Sequence, residues 1–198
     1  MITKEFLKDD AFSKATYSNC KRYRYCLSRE WDAAKKIAHF IMLNPSTATE
    51  YQNDPTVERC ERRARTLGYG GFSVTNIFAW RDTDPKKMER AIDPIGPEND
   101  SIILKTCLNA DINIAAWGIH GSHRARDVEV KRIFYEAKLR VFSLGLTKLG
   151  YPKHPLYISY EVRPQIWLIG VLNKGYKIRI FTGIFSCNAL LSGHGIQN

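Results

Sequence analysis

The sequence predicts an α/β protein, a three-layer α/β/α sandwich around a mostly parallel central sheet, and three observations predict it. Short apolar runs of strand length stand at residues 37–43, 72–79, 112–117 and 140–144. Segments with apolar residues at helical spacing lie between them. The connections are long enough for right-handed crossovers, which make neighbouring strands parallel and put helices on both faces.

Composition bounds the class. The 198 residues suit one domain with a real core, and 44% hydrophobic with 25% charged residues is ordinary for a globular protein. No apolar run nears the roughly 20 residues that span a bilayer, and the start lacks the apolar stretch of a signal peptide, so a cytoplasmic protein without membrane association is expected. Cys20, Cys26, Cys60, Cys107 and Cys187 include no C-x-x-C pair, which argues for reduced thiols and against both a disulfide framework and a zinc site. A formal charge of +10 invites a polyanionic partner, DNA, RNA or a nucleotide, because Lys and Arg release counterions from phosphates. A monomer is the default expectation.

Residues 1–20 are polar, without sustained period, and read as an irregular N-terminal arm pairing at most with a sheet edge. A single domain then runs over 21–162. Its first strand covers 23–28, with Arg22 and Arg24 on one face, and a turn at 30–35 leads into the strand 37–43. His39 inside that apolar run reads as a satisfied core histidine.

Pro45 has no N–H to continue a ladder, so Asn44 sits at the strand's carboxyl end, where open parallel sheets bind ligands. The small polar residues Ser46 and Thr47 follow; the same pattern also describes a plain Pro turn with capping hydroxyls. Asp54 and Pro55 read as the cap and first position of a helix with Val57, Cys60, Ala64 and Leu67 inward, ended by Gly68. Gly70 and Gly71 permit a tight approach to the strand 72–79, whose end presents Asn76, Phe78, Trp80 and Arg81.

Residues 82–85 cap a short helix. The Pro-rich, acidic loop 93–100, with Asp93 and Asn99 as anchors, leads to a helix with Ile103, Leu104, Cys107 and Leu108 inward. The strand 112–117 ends at Trp117, a core residue by size, and is followed by His120. Ser122 reads as the cap of a helix carrying Val130, Ile133, Phe134 and Ala137. His120 and His123 lack a third ligand, so no metal and no cofactor are expected. After the strand 140–144 comes a long loop with Lys148, Lys153, His154 and Tyr157.

From 163 the character changes to a divergent C-terminal extension without Asp or Glu, apolar over 166–172 and alternating over 174–181, where Gly175 and Gly183 would bound an edge strand; His194 reads as solvated. Separate strand ends thus deliver Asn44, Asn76, His120 and, through the last loop, Lys148 and His154 to one edge of a sheet.

Several segments together resemble a known family: residues 42–48 (Met-Leu-Asn-Pro-Ser-Thr-Ala), 53–56 (Asn-Asp-Pro-Thr), Gly70-Gly71, 76–79 (Asn-Ile-Phe-Ala), 93–100 (Asp-Pro-Ile-Gly-Pro-Glu-Asn-Asp), 116–118 (Ala-Trp-Gly) and 153–157 (Lys-His-Pro-Leu-Tyr). In order and spacing, from Tyr23 to Tyr157, they are similar to the bacterial and phage family called domain of unknown function 1643, which carries no established activity. More distantly, Leu43-Asn44-Pro45, Val74-Thr75-Asn76 and His154-Pro155 resemble the motif order of the uracil-DNA glycosylase superfamily, itself a parallel sheet between helices. That resemblance implies that Asn44 positions the attacking water and that His154 with Pro155 stabilises the leaving base or supports a wedge. Leu43 and Ser46 stand where that superfamily has glycines, and Leu156-Tyr157 where it has Ser-Pro. Asp54 is the acid that would reach the water if its loop folds back.

Catalytic candidates are therefore Asn44 and His154. The binding candidates are Pro45, Ser46, Thr47, Asp54, Asn76, Phe78, Arg81, Trp117, His120, Lys148, Lys153 and Tyr157, with Phe78 stacking and Asn76 reading a base edge. Three functions stay open: a nucleic-acid- or nucleotide-directed hydrolase of an N-glycosidic bond, a non-catalytic nucleotide or nucleic-acid binder, and an enzyme on a small nucleoside or phosphorylated metabolite. The sequence has no G-x-x-x-x-G-K loop of a conventional triphosphatase.

Overall fold

The structure is a computed structural model and describes residues 1–8 and 10–170. These form one eight-stranded sheet: β1 (Ile2–Lys8), β2 (Ala11–Tyr17), β3 (Arg24–Glu30), β4 (Ile37–Met42), β5 (Gly71–Asn76), β6 (Ile112–Ala115), β7 (Arg140–Ser143) and β8 (Gln165–Ile169), in spatial order β1-β2-β3-β5-β4-β6-β7-β8. Four helices connect them: α1 (Pro55–Thr66), α2 (Pro85–Arg90), α3 (Asn99–Asn109) and α4 (Arg126–Glu136). No helix among the described residues is long and apolar enough to cross a membrane.

The sheet is mixed, which corrects the expectation of a mostly parallel one. Only the run β5-β4-β6-β7 is parallel, whereas β1-β2, β2-β3, β3-β5 and β7-β8 are antiparallel. For β1-β2 and β2-β3 the reason is connection length, since the residues between these strands are too few for a parallel crossover. The expected irregular arm is instead the hairpin β1-β2 at the sheet edge. Its period-two signal is carried by Ala11, Ser13, Ala15 and Tyr17, all buried, so the small inward residues read as polar in sequence.

Side chains alternate across β4. Phe40 and Met42 join a core cluster with Val57, Cys60 and Ala64 of α1, while Ile41 joins another with Met88 of α2, Ile103 and Cys107 of α3, and Val130 and Phe134 of α4. Between them His39 is fully buried and satisfied on both ring nitrogens, by Asn113 Oδ1 at 2.9 Å and Thr75 Oγ1 at 2.8 Å. Helix α1 starts as its residues dictate: Asp54 Oδ1 accepts from the N–H groups of Thr56 (3.0 Å) and Val57 (2.8 Å), Pro55 follows, and Gly68 takes φ 84° just beyond the end. A Cβ on Gly70 would collide with the Asp32 carbonyl, so only glycine lets this chain pass there.

Two further differences concern the later elements. Ser122 does not cap α4: its hydroxyl donates to the Ile119 carbonyl (3.0 Å) within a 3-10 turn, and α4 opens after Arg124 and Ala125, both at positive φ, without a side-chain cap. Strand β8, in the stretch expected to be a divergent extension, pairs with β7, and its Trp167 meets Trp117 edge-on at 5.4 Å. The alternating segment 174–181 with Gly175 and Gly183, Cys187 and His194 lie outside the described residues.

Candidate functional site

Strand β4 ends at Met42, and parallel pairing with β5 puts Met42 level with Asn76. Beyond this edge opens a cleft of about 670 Å³ whose wall includes Leu43, Asn44, Ser46, Thr56, Asp82, Thr83, Trp117, His120, Lys153, His154 and Tyr157. It lies outside the carboxyl ends of the parallel strands, where such sheets place ligands.

Asn44 is fixed there by its own amide. Nδ2 donates to the main-chain carbonyl of Asp82 (2.7 Å), and because a carbonyl only accepts, the amide has one orientation. Oδ1 has no hydrogen-bond partner among the described residues, so it is an acceptor held ready in the cleft wall. The loop after it is anchored from behind: the buried Arg24 guanidinium donates to the Ala48 carbonyl, the buried Arg29 donates to the Thr49 carbonyl at 2.6 Å, and Tyr17 donates to the Glu50 carboxylate at 2.8 Å.

Asp82 is the residue that sequence reasoning missed. Its N–H donates to the Pro45 carbonyl (3.0 Å), and its Oδ1 accepts from the Asp84 N–H (3.0 Å), while Asp84, not Asp82, caps α2. Asp82 lines the cleft together with Asn44. Nothing in the local sequence separated it from Asp84, since both precede Pro85 in a capping run.

Asp54, which would reach the water only if its loop folded back, is consumed by structure. It is buried, caps α1 and also accepts from the Ala48 N–H at 3.3 Å. His154 lies in the cleft wall ahead of the short turn Pro155–Tyr157, and its Nδ1 accepts from the Leu156 N–H at 3.4 Å. That bond assigns the ring proton of the neutral form to Nε2, leaving a donor. Burial pushes the imidazole below its ordinary value, partly opposed by the Asp54 carboxylate, so the neutral form is favoured.

The other expected residues divide. Ser46, Trp117, His120, Lys153 and Tyr157 share the cleft with Asn44 and His154. Trp117 is 1% exposed and packs against Phe134 and Trp167, and Tyr157 is 87% exposed. His120 Nδ1 lies 3.2 Å from a Glu89 carboxylate oxygen. Thr47 and Arg81 line a second concavity of about 420 Å³ with Lys21, Arg22, Ser46, Asp82 and Thr83.

Pro45 is buried and presents its carbonyl to Asp82. Asn76 and Phe78 are buried and line neither hollow: the Asn76 carbonyl accepts from Asn99, and Phe78, fully enclosed, meets the His123 ring at 5.8 Å. Phe78 cannot stack on a ligand from there, because its position in the chain just after β5 turns it into the core. Lys148 is exposed and lines neither hollow. Asp93 and Asn99 anchor the 93–100 loop, Asp93 Oδ1 accepting from Ile95 and Gly96 and Asn99 Nδ2 donating to the carbonyls of Asn76 and Ile77. Among the described residues no group of three or more His, Cys, Asp or Glu is placed to hold a metal ion.

The family model described as protein of unknown function, DUF1643, matches residues 24–156, from the start of β3 to the turn after His154. No curated protein and no solved structure matches the chain.

Proposed function

The chain belongs to the DUF1643 family, and from the cleft it carries we propose that it is a nucleotide-directed hydrolase that cleaves an N-glycosidic bond. The observation that carries this reading is the fixed Asn44 amide, whose free Oδ1 shares one cleft with a carboxylate, Asp82, and a neutral imidazole donor, His154.

Each group has a part in the chemistry. Asn44 Oδ1 accepts a hydrogen bond from water and aims its lone pair at the anomeric carbon. As the C–O bond forms, the C–N bond breaks and its electron pair leaves with the base, while the Asp82 carboxylate takes the water's proton. The His154 Nε2–H donates to the departing base, where negative charge develops. Tyr157 at the cleft offers a ring face for the base. The α/β/α layering and the likeness to uracil-DNA glycosylases belong to this same proposal; the two core clusters, one with α1 and the other with α2, α3 and α4, support the layering.

The test is base release from free nucleotides and from labelled single- and double-stranded oligonucleotides, each carrying uracil or other altered bases. Asp82→Asn keeps the main-chain bonds to Asn44 and Pro45 and an oxygen for the Asp84 N–H, so it removes the base while preserving the fold. Release by the parent and its loss in Asp82→Asn, with an unchanged melting temperature, is the expected result. Absence of release from every substrate overturns hydrolysis and leaves a binding role for the same cleft.

A further inference from the structure

We propose that the second concavity is a phosphate subsite continuous with the cleft, so that one nucleotide unit is held by base and sugar in the cleft and by its phosphate among Lys21, Arg22 and Arg81. The identity of the first hollow's ligand rests on the reading above; the anion chemistry of the second stands on its own observations.

The two hollows share Ser46, Asp82 and Thr83 in their walls, so they adjoin. The cations are placed by main chain rather than by chance. Tyr23 bridges Trp80, the Arg81 N–H donates to the Arg22 carbonyl (3.0 Å), and Arg81 Nη1 donates to the Lys21 carbonyl (3.1 Å). Lys21 is held at φ 58°, a conformation that non-glycine residues rarely adopt.

None of the three cations forms an ion pair among the described residues. Arg22 lies over the Trp80 ring at 5.7 Å and hydrogen-bonds the Cys20 sulfur, whose thiol pKa is lowered to about 7 by its bonds to Ser18 and Arg22, and Arg81 lies over the Tyr17 ring at 5.1 Å with its Nε buried and unpartnered. Other arginines are engaged differently: Arg62 pairs with Glu58, Arg65 with Asp10 and Glu61 and Arg126 with Asp100 and Glu129, while Arg24, Arg29 and Arg63 spend their guanidinium groups on buried main-chain carbonyls. The hydroxyls of Ser46 and Thr47 also have no hydrogen-bond partner among the described residues. The one carboxylate in the wall, Asp82, already has Oδ1 engaged by the Asp84 N–H.

Three cations without a carboxylate partner and two free hydroxyls around a hollow are the donor set of a phosphate group. The phosphate can be the monoester of a free nucleotide or the diester of a strand, and the chemistry is the same. Lys21 and Arg22 stand just ahead of the segment that the family model matches, and Ser46, Thr47 and Arg81 stand inside it.

The experiment uses the full chain and its Lys21→Ala/Arg22→Ala double variant, both exposed positions whose loss leaves the core intact. Probes are inorganic phosphate, deoxyuridine, deoxyuridine 5′-monophosphate and a fluorescein-labelled ten-nucleotide oligothymidylate, with affinities read over a salt series. The double variant is expected to bind a phosphorylated probe at least tenfold more weakly, to leave deoxyuridine unchanged, and to flatten the salt slope for the strand by roughly 1 to 1.5. Selective loss for the monophosphate assigns the subsite to free nucleotides, and selective loss for the strand assigns it to nucleic acid.

Phosphate binding that depends on Lys21 and Arg22 without any nucleoside binding would keep the subsite and overturn the nucleotide reading of the cleft. Equal affinity of parent and double variant for every phosphorylated probe, or no binding of any probe by the parent, overturns the subsite.

Discussion

The Asn44 side-chain amide donates to the Asp82 carbonyl across 2.7 Å, and the Asp82 N–H donates back to the Pro45 carbonyl across 3.0 Å. These reciprocal bonds tie the end of β4 to the chain that follows β5, across 38 residues of sequence. They set Asn44 and Asp82 in one wall of the cleft.

Asn44→Ala removes the first of these bonds and leaves the Asp82 carbonyl without its donor. The expected cost is about 1 kcal/mol, or a melting temperature lower by roughly 2 to 4 °C, together with loss of base release. Differential scanning calorimetry beside the release assay checks both. A full loss of folding would instead mark Asn44 as a purely structural clamp.

Asp54→Ala deletes the acceptor for three main-chain N–H groups, those of Ala48, Thr56 and Val57. We expect a loss of about 1 to 2 kcal/mol, seen as a lower urea midpoint at constant slope. Asp54→Asn, which keeps one oxygen, should lose less, and equal losses would show that the cap geometry is not what stabilises α1.

His39 is buried and held neutral, its pKa pushed down by burial to about 4 from an ordinary 6.5. The unfolded chain therefore binds the proton more readily, so its contribution is complete above about pH 6.5 and is lost as pH falls toward 4. Between pH 7 and pH 5 this one group should cost on the order of 2 kcal/mol. Urea unfolding at the two pH values should show a smaller difference in His39→Gln, and an equal difference would assign the acid sensitivity to other groups.

Arg63 is buried and its guanidinium donates to three carbonyls, those of Ile158 (3.0 Å), Ser159 (2.9 Å) and Val162 (2.8 Å), so it holds the chain just beyond His154 against α1. Arg63→Met keeps the bulk and removes all three bonds. A loss on the order of 3 kcal/mol is expected, with faster proteolysis within residues 158–163 as the local sign. Unchanged cleavage there would show that the segment is held by its other contacts.

What was legible in the sequence was local. The cap Asp54-Pro55 and the end at Gly68, the core histidine His39, the anchors Asp93 and Asn99 and the apolar runs of β4 to β7 are set by neighbours within a few residues or by period, and they stand in the structure where the residues put them. The hairpin β1-β2 was missed because Ala and Ser carry its inward face, and the antiparallel run β1-β2-β3 because its direction follows from short connections that composition did not reveal.

The sequence by itself determined that a polar cluster beginning at Asn44 follows a buried strand, and that His154 arrives from a late loop. Only the tertiary structure decided which acid stands beside them. Asp54 and Asp82 are chemically alike, yet Asp54 is spent on the N–H groups at the start of α1, while Asp82 lines the cleft. The placement of Lys21 and Arg22 beside Arg81 was decided in the same way, by a bridge between Tyr23 and Trp80 that no local pattern encodes. A carboxylate's role follows from which donors reach it, and contacts between residues tens of positions apart exist only once the sheet has closed.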